Sequence, residues 1–187
     1  MKRMKITAII GSLRRNSFHR QLALVAKELL KEEADLEILE YADVPFLNQD
    51  YEYPAPAAVS RVRKIIQISD ALWFFSPEYN HFFSGALKNL IDWLSRPISE
   101  DEPQVLKGKP ATVSGITPGI SGTLIAQDHL VSLISLLNMQ VMNQPRLAIP
   151  SALQQLDQNG ELVLSTSLPL LEKQANEFLN FVKKNQQ

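Results

Sequence analysis

Between Gly11 and Ser17 the chain reads Gly-Ser-Leu-Arg-Arg-Asn-Ser, a set of residue types suited to holding a phosphate monoester. Ser12 and Ser17 offer hydroxyl donors, and Arg14 offers a planar cationic fork that matches phosphate oxygens. The stretch follows a branched apolar run, Ile6 to Ile10, and leads into helical spacing. A strand–loop–helix junction of this kind aims backbone N–H groups and the positive end of a helix dipole at one spot. The same residues also suit an ordinary turn with Asn16 or Ser17 as N-cap and two solvated arginines. Spacing alone leaves both readings open. The sequence has neither G-x-x-x-x-G-K-[ST] nor G-x-G-x-x-G, which argues against a P-loop and a dinucleotide fingerprint.

Two further segments carry chemistry by position. Ser76-Pro77-Glu78-Tyr79-Asn80-His81 follows the apolar run Ala71 to Phe75. Pro77 stiffens it, and its main-chain groups with one aromatic side chain form a wall for a flat heteroaromatic ligand; a plain connecting turn is the competing reading. Glu78 is a candidate general acid or base, although no second carboxylate pairs with it. The third segment, Ser114 to Thr123, holds Gly115, Gly119 and Gly122. Glycines there permit either close backbone approach to a ligand or a flexible crossover.

Other chemistries are excluded or left without support. The chain has no cysteine, which removes disulfides, thiol nucleophiles and thiolate metal sites. His19, His81 and His129 are far apart and match no metal-ligand spacing. No G-x-S-x-G elbow occurs. Asp128-His129 has no serine placed to complete a triad, and Trp73 and Trp93 read as packing residues. A net charge of -1, from 19 basic and 20 acidic residues, gives no general electrostatic drive toward nucleic acid or an anionic membrane. The basic start Met1-Lys2-Arg3 precedes too short an apolar run for a signal peptide, and no stretch reaches the ~20 apolar residues of a membrane span. A cytoplasmic location is expected.

The elements that must position these loops follow from periodicity. Short apolar runs at Ile6–Ile10, Leu36–Glu40, Ala71–Phe75, Ala111–Ser114 and within Gln140–Ile149 read as strands. Amphipathic spacing predicts helices from Ser17, through Val62 to Ile66, from Ser84, over Thr123 to Leu137, and over Leu170 to Val182. Val44 to Pro56 reads as a loop and Pro97 to Gly108 as a polar connection. Repeated βαβ units in 187 residues with 45% hydrophobic composition predict one domain, residues 1–187. The expected fold is a flavodoxin-like, doubly wound five-stranded parallel sheet of order 2-1-3-4-5 with helices on both faces. Its ligand would sit beyond the carboxyl ends of the strands, where all three loops meet.

At these loops the chain resembles the NADPH-dependent FMN reductase family, which also includes chromate, azo-dye and quinone reductases. The resemblance runs from Lys5 to about Ile149. It rests on residues 11–17, Val-Pro-Phe-Leu-Asn-Gln-Asp at 44–50, Ser-Pro-Glu-Tyr-Asn at 76–80 and Ser-Gly-Ala-Leu-Lys-Asn-Leu-Ile-Asp-Trp-Leu-Ser at 84–95. The chain departs from the family pattern at His19, where asparagine is usual, and at Pro118 and Ile120 in the third loop.

The resemblance implies that Ser12, Arg14 and Ser17 hold the FMN phosphate. It implies that Pro77, Glu78, Tyr79 and Asn80 line the isoalloxazine, and that Ser114 and the Gly115 loop close on its pyrimidine side. It further implies ping-pong transfer from NADPH, with NADH possible, to a small-molecule acceptor: a quinone, azo compound, metal oxyanion or free flavin. Catalytic side chains would be absent because the flavin does the chemistry. A homodimer or homotetramer is implied, with Leu90 and Trp93 at the interface. A flavodoxin-type electron carrier and a flavin-free regulatory protein are the alternatives.

Overall fold

The computed structural model describes residues 3–99 and 101–185; Met1 and Lys2 of the basic start, and Glu100 of the 97–108 connection, lie outside them. Strand β1 (Met4–Ile10) pairs in parallel with β2 (Ala34–Ile38) on one side and β3 (Ala71–Phe75) on the other. Beyond β3 lies β4 (Pro110–Ile116), followed by an edge position filled in two pieces, β5 (Gln140–Val141) and β6 (Leu147–Ile149), both paired with β4. The order is therefore 2-1-3-4-5, as expected for the flavodoxin-like arrangement. The fifth strand is not continuous, because Pro145 has no N–H to extend the ladder between the two pieces.

Helices cover both faces, so the inner strands are buried on both sides rather than alternating with solvent. Side-chain period 2 still sorts them. Ile6, Ala8, Ile10, Trp73 and Phe75 pack under α1 (Phe18–Leu30) and α5 (Leu168–Asn185), meeting Leu22, Ala26, Phe178 and Val182. Ile9, Leu72, Phe74 and Val113 pack under α2 (Ala57–Ile68), α3 (Gly85–Leu94) and α4 (Leu124–Leu136), meeting Val62, Ile66, Leu87, Leu90, Leu130 and Ile134.

Two features bear on the expectations above. First, Leu90 and Trp93 are fully buried within their own chain and are not available to a partner. The 44–56 loop covers the outer side of α3: Trp93 Nε1 donates to the Pro45 carbonyl at 2.8 Å, and Asn89 bonds Leu47 N–H at 2.8 Å and the Pro45 carbonyl at 2.9 Å. Second, α4 carries apolar residues on both sides, although Asp128, His129 and Ser132 are also exposed on the outer one. Ala126, Leu130 and Ile134 face the sheet, while Leu124, Ile125 and Leu136 are exposed.

Candidate active site

The first loop is set by Gly11, whose N–H bonds the Phe75 carbonyl at 2.8 Å as β1 ends beside β3. A Cβ there would lie 2.6 Å from Pro77 Cδ, so only glycine allows the first and second loops to touch. Ser17 ends the loop as the N-cap of α1: its Oγ accepts from Arg20 N–H at 3.1 Å. Among the described residues, the backbone amides of residues 12–16 donate to no backbone carbonyl, and the first turn of α1 carries no acidic side chain. Unpaired amides at a helix N-terminus are what an anion requires.

One cavity of about 190 Å³ collects the loops. Ser12, Arg14, Ser17, Phe18 and His19 form one wall, Pro77, Glu78 and Tyr79 the second, and Ile116, Thr117 and Pro118 the third. Of the nine expected site residues, Ser12, Arg14, Ser17, Pro77, Glu78 and Tyr79 are thus brought together. Arg14 is exposed, donates from Nη2 to the Asn16 carbonyl at 3.0 Å and lies 5.9 Å from the Phe18 ring centre. Tyr79 is half exposed and closes a tight antiparallel bridge with Phe82, with Asn80 (φ 53°) and His81 (φ 62°) at its tip. Asn80 therefore stands off the cavity.

The third loop corrects the sequence reading. Ser114 and Gly115 belong to β4, and the loop begins only at Thr117. The Ser114 side chain points into the α5 layer, away from the cavity: its Oγ accepts from Trp73 Nε1 at 2.8 Å and donates to Gln174 Oε1 at 2.6 Å. Gln174 continues the network through Nε2 to Thr112 Oγ1 at 3.0 Å and the Val113 carbonyl at 2.9 Å. Gly115 makes room rather than contacts, since a Cβ there would sit 1.8 Å from Thr123 Oγ1 and 2.9 Å from the Ser76 carbonyl oxygen. The wall is built by Ile116, Thr117 and Pro118 in their place.

Glu78 is 8% exposed and accepts the Ala126 N–H through Oε2 at 3.1 Å. Ala126 is the third residue of α4, whose own cap position, Thr123, is left-handed (φ 73°) and makes no side-chain cap bond. Glu78 supplies that cap from another loop, and the carboxylate suits the positive helix end. It thereby ties the second loop to α4, while Oε1 lies 3.4 Å from His81 Nδ1.

Phe18 and His19, not expected at the site, complete it. His19 is 5% exposed; its Nε2 accepts the Ile116 N–H at 3.4 Å, and the Ser76 backbone also hydrogen-bonds the ring. Burial lowers its pKa to about 4, against the opposing effect of the Ser76 bond, so the ring is neutral near pH 7. A neutral imidazole is both donor and acceptor, and this one ties all three loops together. The sequence signal was its spacing, two positions past the N-cap on the turn that faces the site. No group of three or more potential metal-ligating side chains occurs among the described residues.

The model of the NADPH-dependent FMN reductase family matches residues 4–154. The chain belongs to that family. It is an enzyme that uses FMN as cofactor and NAD(P)H as reductant. A 2-hydroxy-1,4-benzoquinone reductase of Burkholderia sp. is 33% identical over 180 residues, covering 96% of this chain and 97% of that protein. A quinone reductase of Pseudomonas putida is 35% identical, covering 96% and 95%. Among solved structures, the FerB flavoenzyme NAD(P)H:(acceptor) oxidoreductase of Paracoccus denitrificans superposes with a TM-score of 0.88 at 29% identity, covering 97% of this chain and 98% of that one. The donor set fits the family's cofactor: unpaired amides, two hydroxyls and an exposed guanidinium for the phosphate, beside an open cleft walled by Pro77 and Tyr79.

Proposed function

We propose that the chain works as a single domain, a cytoplasmic ping-pong reductase carrying electrons from NAD(P)H by way of FMN to quinones. Azo compounds, metal oxyanions and free flavin are alternative electron acceptors in this reading. The reading rests on one observation: Ser12, Arg14 and Ser17 share a cavity with Pro77, Glu78, Tyr79 and the Thr117–Pro118 wall, beside the loop amides 12–16 that donate to no backbone carbonyl among the described residues. Bound FMN supplies hydride acceptance and donation. Ser12, Ser17, Arg14 and the 12–16 amides hold its phosphate, and Pro77 to Tyr79 orient the ring. Glu78 fixes that loop through α4 rather than moving protons, and His19 holds the loops at a fixed spacing.

The assembly we propose is a homodimer or homotetramer formed through α4. Leu124, Ile125 and Leu136 on its outer side, with Phe82 nearby against His129 at 4.5 Å between ring centres, form an apolar face suited to a second copy. No helix among the described residues is long and apolar enough to cross a membrane.

The test is an anaerobic visible spectrum of the FMN-loaded protein. Bands that bleach with NADPH or NADH and return with a quinone support the reductase. Bound flavin that neither nucleotide bleaches points to an electron carrier, and failure to bind FMN overturns the site assignment.

A further inference from the structure

On the opposite layer from α1 and α5, a second cleft of about 300 Å³ runs beside α2. One stripe of that helix lines it: Ser60, Arg63, Lys64 and Gln67 follow the i, i+3, i+4, i+7 spacing of a single face. Tyr53, Pro54, Ala55 and Ile98 form the apolar part, and the exposed Glu102 completes the lining. None of these residues lines the flavin cavity.

Arg63 is the anomaly. It is 3% exposed, its one hydrogen bond among the described residues runs from Nη2 to the Trp93 carbonyl at 3.0 Å, and its Nε has no partner. A buried guanidinium cannot shed its charge at physiological pH, so an unpaired one is costly. The nearby carboxylates are engaged elsewhere. Glu52, 4% exposed, is held by Arg96 at 2.7 and 3.3 Å, and Glu102 accepts from Gln67 Nε2 at 2.8 Å. Arg63, Lys64 and Arg96 set against Glu52 and Glu102 therefore leave one net positive charge around the cleft, with Arg63 the buried cation that has no carboxylate bonded to it among the described residues. Burial also pulls the Arg63 pKa below its ordinary value, against the opposing effect of Glu52.

We propose that this cleft is a binding site for a small organic monocarboxylate, its carboxylate paired with Arg63 and Lys64 and its apolar body against Tyr53, Pro54 and Ile98. Arginine suits a planar carboxylate better than any other side chain. The mostly apolar walls favour an organic acid over a bare inorganic anion. The site stands apart from the flavin and does not depend on what the flavin reduces.

The probe is sodium benzoate, added to the FMN-loaded protein at constant ionic strength, with benzamide as the uncharged isostere and inorganic phosphate as the anion without an apolar body. Thermal unfolding followed by tryptophan fluorescence is the readout, since a ligand bound only by the folded state raises the midpoint. The expected result is a saturable upward shift with benzoate, none with benzamide and a smaller one with phosphate. Arg63→Met removes the shift while FMN absorbance stays at the wild-type level. Because Arg63 is buried, Lys64→Ala at the exposed rim is the second variant, and it raises the benzoate concentration needed for half-saturation several-fold. Equal shifts with benzoate and benzamide, a shift that survives in both variants, or no shift at all overturns the proposal.

Discussion

Acidification should unfasten the site's central brace. The native state keeps His19 neutral down to a pKa of about 4, whereas an unfolded chain protonates it near 6.5. Between those values the unfolded state binds more protons, so stability falls as pH falls. The contribution is fully present above pH 6.5 and lost as the pH drops through 4. At about 1.36 kcal/mol per pKa unit, the loss between pH 7 and pH 5 is roughly 2 kcal/mol from this residue alone. Glu52 and Asp157, whose carboxyls are held below their ordinary pKa by Arg96 and by the Glu161 and Asn159 amides, add their own acid sensitivity at lower pH. A comparison with His19→Asn cancels those contributions, because asparagine keeps a donor and an acceptor but takes up no proton. Urea unfolding of the flavin-free proteins at pH 7 and pH 5 should show the wild type losing about 2 kcal/mol more than the variant, a midpoint difference on the order of 1 M. Equal losses in the two proteins would refute a buried, neutral His19.

Other outcomes follow from the same geometry. Arg14→Ala should weaken FMN binding in a titration by about 1.5–3 kcal/mol, roughly ten- to a hundredfold in Kd, the scale of a charge-assisted hydrogen bond. Glu78→Gln should keep most turnover, because an amide oxygen still accepts from Ala126. Glu78→Ala should lower thermal stability by about 1 kcal/mol through loss of the cap. Turnover falling by orders of magnitude in the glutamine variant would instead make Glu78 a proton donor. Ser114→Ala should leave FMN affinity unchanged while costing about 1–3 kcal/mol of stability, since Trp73 Nε1 and Gln174 lose a buried partner; a changed FMN titration with unchanged stability would return Ser114 to the site.

The strand order and the meeting of the three loops were legible because the first and third strands are branched or aromatic runs stopped by Gly11 and Pro77, whereas the fourth was read as ending at Ser114 and runs on to Ile116. Ser17 and Ser84 mark helix starts by type and spacing, and both prove to be N-caps. The side chosen by Ser114 was not legible. A strand buried on both faces carries no polar alternation, so nothing local tells whether a serine faces ligand or core. Its true partners, Trp73 and Gln174, come from elements 41 and 60 residues away. Leu90 and Trp93 were misplaced for a related reason. A helix whose outer side is covered by an irregular loop has the same pattern as one that meets a second chain. Glu78 as the cap of α4 is likewise a long-range pairing that only the assembled fold reveals, and although spacing puts His19 on the turn facing the site, its partners Ile116 and Ser76 come from distant segments.

The interrupted fifth strand also bears on how the molecule can associate. The outermost strand of an open sheet offers unpaired N–H and C=O groups to any passing chain. Here one border consists of fragments of two and three residues, β5 and β6, parted by a proline-bearing segment. The other border, β2, exposes Asp35 and Glu37, ion-paired to Arg3 and Lys27. Neither offers a long flat template, so sheet-to-sheet extension into fibrils is discouraged at both ends. Contact between copies is thereby left to helix surfaces, where it can close into a finite assembly instead of growing without limit.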